Sequence, residues 1–482
     1  MTKSSVKVNF VYQIIYRIIT TLTPLITSPV LARALGAEKL GIFSGTLALV
    51  TYFKLYSMLG IETYGNRTIA TAQGNKQKLQ ELFWNIYFIQ FLTTITAIVL
   101  YASIFFFIPK DRYAISVIQG LWLLSCLFDV NWFFFGTEQF KLTVTRNIVI
   151  KCLTVALIVI FVRTPDDLNL YALIMSGDAV LSNLVVWPFL RRYISFEKPS
   201  FSKMKAHIKP ILILFIPILS ITVFRVMDKS MLDWLSSEEQ LGYYYSADKV
   251  INIPIYIITA LSTVMLPRVS NEISKNNFDS VKKMLVKSVE VTVFIALAVG
   301  IGIASIANEF VPLFFGPGFE PCIKLVYWFV LILFAKAIGE LVRSQYMIPA
   351  KKDKLYSAAI ILGACTNFLF NYFLISRYNA LGAVWGTLIA ETTVTGFEII
   401  VTRKSMPFLS FFKDNIFYLV PAAAMFFVVR YFAQILTLPI IAKLCIMIFV
   451  GAVVYLSICI CIWKMKKVSV FHGINLKNMR LK

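Results

Sequence analysis

Long apolar stretches, broken by short polar or Pro/Gly-marked segments, run the length of this chain. Fourteen stretches can be delimited, near 9–32, 41–61, 83–108, 115–135, 147–162, 168–190, 210–235, 242–267, 288–308, 322–347, 355–376, 381–402, 415–435 and 440–463. The hydrocarbon core of a bilayer is about 30 Å thick and takes ~20 residues of helix to cross. The pattern therefore predicts an all-α, polytopic membrane protein with 14 transmembrane helices. Pro109, Gly136, Pro165, Pro210, Gly242 and Pro439 mark many of the ends, as residues that stop or turn a helix do. Composition agrees: 15% of residues are charged, against about 25% in a soluble globular chain.

Charge then orients the pattern. Of the 47 lysines and arginines, thirty fall in loops on one side, six on the other and eleven within spans. The positive-inside rule places the basic side, and with it both termini, in the cytoplasm. The first ten residues lack a small-residue cleavage site and read as a cytoplasmic tail leading into helix 1. The longest outer loop, near 309–321, offers no catalytic domain, and the two histidines, His207 and His472, lie outside the spans. Intramembrane histidine catalysis is thereby excluded. The seven cysteines form no CxxC pair, so no metal site is expected and the cysteines read as small apolar filler. The net charge of +22 fits topology and attraction to anionic lipid rather than nucleic acid.

An internal repeat emerges at an offset of 201. Leu40-Gly41 opens span 2 and Leu241-Gly242 opens span 8, while Arg67 and Arg268 follow the inner ends of the same spans. Fourteen spans then divide into two seven-helix lobes, a plan in which transporters bind cargo between repeats. By segment, 1–200 is an N-lobe of helices 1–6 plus a cytoplasmic linker, 201–410 a C-lobe of helices 7–12, and 411–482 helices 13–14 with a basic tail. Helices 13 and 14 are polar-poor apart from Arg430, Gln434 and Lys443. Their faces suit either a groove for a lipid tail or plain contact with lipid.

Leu31-Ala32-Arg33-Ala34-Leu35-Gly36, Glu38 to Ser44, Gly60 and Asn66-Arg67 form a run that continues in Leu241 to Val250 and Leu266-Pro267-Arg268-Val269-Ser270. Gly316-Pro317-Gly318-Phe319 and Leu381-Gly382-Ala383-Val384-Trp385-Gly386 complete it. In this order the chain resembles polysaccharide-export flippases (the O-antigen repeat-unit, Wzx-type transporters) of the multidrug/oligosaccharidyl-lipid/polysaccharide exporter superfamily. The resemblance implies a MATE-like, two-lobed carrier in the bacterial plasma membrane that flips isoprenoid-pyrophosphate-linked oligosaccharides. Its implied partners are that substrate, membrane lipids, and polysaccharide polymerase and export proteins.

A cation at mid-bilayer costs roughly 2.5–3.5 kcal/mol even on lenient scales, so the cations within spans need partners, water or an anionic cargo. Arg17, Lys54, Arg225 and Lys249 are the expected contacts of the pyrophosphate. Lys54 stands out, with no acid one turn away in its own span. Arg225 and Asp228 are spaced to pair at i,i+3, and Lys229 and Asp233 at i,i+4. Asp228, Asp248, Asn252, Asp129 and Asp178 are candidates for lining a cavity or binding a coupling ion. The secondary candidates Lys336, Glu340 and Arg343 share one face of span 10, with Lys336 and Glu340 spaced to pair. Structural readings stand beside each of these: self-neutralised stripes that permit insertion, interhelical locks, or buried hydrogen-bonded acids. Lys151, Lys324, Arg430 and Lys443 read as residues snorkelling from span ends. No cofactor is expected, and coupling to H+ or Na+ is left open. The competing functions are a cation-coupled multidrug exporter, a peptidoglycan-precursor flippase and, from another class, a membrane-embedded sugar-modifying enzyme.

Overall fold

A computed structural model of the chain describes the backbone over 6–466 and side chains over 19–465. Among the described residues all regular structure is helical. In chain order the helices are α1 (Val6–Met58), α2 (Ile61–Thr71), α3 (Lys76–Ile104), α4 (Lys110–Gln119), α5 (Leu121–Leu127), α6 (Asn131–Gly136), α7 (Phe140–Phe161), α8 (Leu168–Leu184) and α9 (Trp187–Leu190). There follow α10 (Phe201–Leu235), α11 (Glu238–Ser274), α12 (Phe278–Phe315), α13 (Pro321–Val342), α14 (Asp353–Thr402), α15 (Phe408–Lys413), α16 (Leu419–Ile435) and α17 (Ile440–Lys466).

Twelve helical segments are long and apolar enough to cross a membrane. Two of them, Ile19–Thr71 and Asp353–Thr402, run to 53 and 50 residues. At 1.5 Å per residue each would measure roughly 75–80 Å, more than twice the hydrocarbon thickness. Each is broken internally, at Gly36 (φ 73°, ψ 174°) and at Asn379 (φ 53°, ψ −131°). Positive φ is open to glycine and tolerated by asparagine. Counted as arms, these helices bring the spans close to the expected fourteen. Helix runs through Pro24 and Pro29, and the break in α1 falls at Gly36.

Several helices outrun their apolar stretches. α12 extends to Phe315, leaving a connection of only 316–320 where an outer loop over 309–321 was expected. α10 and α11 likewise begin before, and α11 ends after, the predicted limits.

The chain forms two compact units, Met1–Tyr245 and Ser246–Lys482. The first packs around Phe83, Trp132, Phe133, Phe134, Leu190 and Ile211. The second has one core around Val269, Leu285, Leu341, Met347 and Phe408, and another around Tyr418, Met425 and Tyr455. Large apolar side chains also cover the outside: Phe427 and Phe449 are each 70% exposed. Such a surface is stable only against lipid.

Candidate functional site: charged clusters within the helices

Unit 1 places Lys54 on the second arm of α1. Its ammonium lies 5.4 Å from the centre of the Trp122 ring, and it forms no ion pair among the described residues. Lys54 and Asp129 both lie near enough to act electrostatically on Glu62. Glu62, just past the break at Leu59 and Gly60, escaped the sequence reading because it sits at a predicted span end.

Asp129 lies where α5 stops and α6 begins. Its Oδ1 accepts from Asn131 N (3.1 Å) and Nδ2 (2.8 Å), and Asn131 continues to Asn183 at 3.1 Å and to Arg146 at 3.1 Å. Gln90 Nε2 donates to the carbonyls of Cys126 (2.7 Å) and Asp129 (2.8 Å), and its Oε1 accepts from Trp132 at 2.9 Å. Broken helix inside a membrane requires such replacement donors. Arg146 and Asn183 are buried, and no periodicity on their own helices announced the network.

Asp178 accepts from Thr154 at 2.8 Å and pairs with Lys151 at 3.5 Å. Lys151 is therefore an interhelical partner and not simply a snorkelling residue. Lys324 is exposed, as snorkelling requires.

On α10, Asp228 is buried and accepts from Tyr244 Oη at 2.7 Å. Arg225 is exposed and makes no ion pair among the described residues, so the pairing expected between the two does not form. Lys229 lies over Tyr245, 5.5 Å from the ring centre. Asp233, spaced to pair with Lys229, is gripped by Arg112 of α4 at 2.8 Å; the same guanidinium reaches Glu238 at 2.7 Å. Arg112 was counted as a loop cation because its partners lie on helices far along the chain.

Beside that clamp, the repeat offset appears in space. Gly41 rests on the backbone of Glu238, and Gly242 on the backbone of Ala37, with no room for a Cβ at either glycine. Positions 37 and 238, like 41 and 242, differ by 201, so equivalent positions of the two repeats meet reciprocally. Small residues permit such close backbone approach. Gly41→Leu and Gly242→Leu are each expected to destabilise purified protein by at least the ~1–3 kcal/mol typical of overpacking. Gly177→Leu, at a position with open space, should leave the melting temperature within a degree or two on the scale expected for a neutral surface change. Thermal unfolding in detergent measures the difference.

Unit 2 carries the other candidates. On α11, Asn252 Nδ2 donates to both the carbonyl and the carboxylate of Asp248 at 2.9 Å, with Lys249 half-buried alongside. Lys336 pairs with Glu391 of α14 at 3.8 Å, not with Glu340 one turn away. Glu340 accepts from Ser344 at 2.6 Å and lies 3.9 Å from Arg343, which also reaches Glu398 at 3.4 Å. Interhelical partners win here because α13 and α14 pack side by side. Glu391 and Glu398 were passed over as site residues, although their seven-residue spacing puts two acids on one face of an apolar helix. Arg430 and Lys443 both pair with Glu309, at 2.9 and 3.7 Å. They anchor α16 and α17 to α12, which corrects the snorkelling expectation.

An apolar cavity of about 480 Å³ lies among α12, α16 and α17, lined by Phe294, Ala298, Gly302, Met425, Met447 and Gly451 among others. Arg17 sits on the first arm of α1, but its side chain lies outside the described residues.

With this geometry in place, comparison with known proteins adds the following. The sequence profile described as polysaccharide biosynthesis protein matches residues 6–273. A protein of Escherichia coli (strain K12) named as an O-antigen transporter is 21% identical over 407 residues, covering 84% of this chain and 98% of its own. The structure of the lipid II flippase MurJ, in an inward closed conformation, superposes with a TM-score of 0.69 at 15% identity, covering 95% of this chain and 99% of that one. An inward-facing multidrug resistance MATE family transporter superposes at 0.63 and 14% identity, covering 82% and 95%. The fold is therefore MATE-like.

Proposed function

We propose, from the chain's membership of the polysaccharide biosynthesis protein family, that this multi-pass membrane transporter flips lipid-linked oligosaccharides for surface polysaccharide assembly. The cargo is an oligosaccharide on an isoprenoid pyrophosphate, carried across the plasma membrane by alternating access. Both termini lie in the cytoplasm, on the strength of the loop charges. The observation that carries the reading is Lys54, a cation within a spanning arm that forms no ion pair among the described residues, with Glu62 only within electrostatic reach. Its ammonium is held over an aromatic ring rather than in an ion pair, which leaves its charge for an anionic group of the cargo.

Arg225, exposed on α10, is the second phosphate contact in unit 1, with Arg17 on the first arm of α1; in unit 2, Lys249 is a separate candidate contact. Asp228, Asp248 and Asn252 orient these cations, and Asp129 and Asp178 line the polar interior. The cavity among α12, α16 and α17 suits a stretch of polyprenyl chain, being apolar and open to lipid-facing helices.

Cells that depend on the chain for surface polysaccharide provide the test. Deletion is expected to abolish the surface polymer while lipid-linked repeat units accumulate on the cytoplasmic leaflet, read by extraction and mass spectrometry. Loss of polymer without that accumulation would overturn the flippase reading. Rescue of cells depleted of their lipid II flippase would assign the peptidoglycan precursor instead.

A further inference from the structure

Within the spanning helices of unit 2, three carboxylates face two cations. Lys336 and Glu340 project from α13, Arg343 from the turn that follows it, and Glu391 and Glu398 from the second arm of α14. Glu398 is wholly buried. One of its oxygens lies 3.4 Å from Arg343 and the other, Oε2, has no hydrogen-bond partner. Arg343 is divided between Glu398 and Glu340, and Lys336 is occupied by Glu391. With every group ionised the cluster carries one uncompensated negative charge. The acceptor least provided for is the one furthest from solvent.

Among the described residues no further cation pairs with these carboxylates. Against α14 pack α13, its following turn and α15. The first two bring Lys336, Glu340 and Arg343, whereas α15 brings only the exposed Lys413, which makes no ion pair among the described residues. From α14 itself come Glu391 and Tyr356, whose ring centre is 6.0 Å from the Arg343 guanidinium. Packing beside the orphan oxygen is tight: a Cβ at Gly339 would lie 2.6 Å from Thr395 Oγ1, 3.4 Å from Arg343 Nη2 and 3.5 Å from Glu398 Oε2. A buried carboxylate with an unmet oxygen and a half-share of a cation is an unstable arrangement. A single proton removes the surplus charge and turns the unmet acceptor into a hydroxyl. Because the carboxyls share Arg343, that proton belongs to the group and not to one residue alone.

We propose that Glu398, together with Glu391 and Glu340 around Arg343 and Lys336, is a proton-binding site through which the transporter couples to a proton gradient. Loading converts a carboxylate and H+ to a carboxylic acid and takes the cluster from −1 to neutral. Unloading restores the charge and frees Arg343 to be shared again. The coupling step rests on the transport reading given above; proton binding itself does not.

The test separates the two. Infrared difference spectra of the purified full-length protein, taken across a pH step, are expected to show a protonated-carboxyl band. That band should vanish in Glu398→Gln, shift in Glu398→Asp and persist in Glu309→Gln, whose carboxylate lies in a different cluster. A band unchanged in Glu398→Gln overturns the site, whatever the protein transports. In proteoliposomes, a pH gradient should accelerate lipid-linked oligosaccharide translocation at least tenfold in the natural protein and not at all in Glu398→Gln. If the band is lost and transport still follows the gradient, the coupling role is overturned. Glu391→Gln provides a second variant if Glu398→Gln fails to fold: it should move the band without abolishing it, and an unmoved band counts against the shared site.

Discussion

Lys54→Ala is expected to stop export almost completely, lowering surface polysaccharide by two orders of magnitude or more while protein abundance stays near normal. The asymmetry follows from what the ammonium touches. Removing one member of an ion pair inside a membrane strands the other and unfolds the protein. Lys54 makes no ion pair, resting on an aromatic face with Glu62 only within electrostatic reach, so truncation forfeits a cation–π contact of about 0.5–2 kcal/mol and removes a costly charge. Stability therefore changes little, or rises. Function loses the whole charge-assisted contact to the cargo, and for a phosphate group held away from water such a contact is worth several kcal/mol. Arg225→Ala should act in the same direction more weakly, since Arg225 is exposed and its site is better hydrated. Lys54→Arg separates charge from shape: it should restore a measurable fraction of export if attraction to an anion is the role. The measurements are surface polymer by immunoblot and cargo accumulation at the inner leaflet. Full export from the Lys54→Ala, Arg225→Ala double mutant would sink the phosphate-contact assignment. Unaltered export from Lys54→Arg alongside a dead Lys54→Ala would strengthen it.

The sequence displayed some of this and hid the rest for identifiable reasons. Span positions were legible because burial in lipid imposes one simple rule, a run of about 20 apolar residues. The fold-back at Asn379 was marked by the polar break at 377–380, and the break at Gly36 by that glycine between Arg33 and Glu38-Lys39. That Lys54 has no acid one turn away was legible because helical neighbours lie three and four residues away, whereas the nearness of Glu62 across the break at Leu59 and Gly60 was not. Interhelical pairing was not. The partners of Arg112 lie 121 and 126 residues along the chain, and Lys336 passes over Glu340 to reach Glu391. Local spacing offered Lys229 for Asp233 and Glu340 for Lys336, and packing overrode both. The reciprocal crossing at Gly41 and Gly242 runs the other way. A repeat offset noticed in the letters became a contact because residues related by internal symmetry meet wherever the axis passes.

The cluster in unit 2 carries the largest expected stability effect. Arg343→Ala leaves Glu340, Glu391 and Glu398 with Lys336 alone, three acids to one cation, in a place where Glu398 has no exposed surface. Breaking a buried pair by removing one partner typically costs about 3–5 kcal/mol, enough to exhaust much of the stability of an ordinary domain. Arg343→Ala should therefore fail to accumulate in membranes at neutral pH. The remedy is specific. Adding Glu398→Gln removes the stranded charge while keeping the side chain's size and a hydrogen-bonding end, so the double mutant should regain most of its abundance and melting temperature. Adding Glu309→Gln, in the separate cluster with Arg430 and Lys443, should restore nothing. A double-mutant cycle built from these melting temperatures gives the coupling between Arg343 and Glu398 directly. A coupling near zero would mean that Arg343 stabilises the unit by packing over Tyr356 and not by neutralising a buried acid. The charge argument would then have to move to Glu340 and Glu391. Lysine at 343 adds a finer comparison. It keeps the charge but loses the fork that reaches Glu340 and Glu398 at once, so Arg343→Lys should fall between the natural protein and alanine if sharing one cation between two carboxylates is what holds α13 to α14.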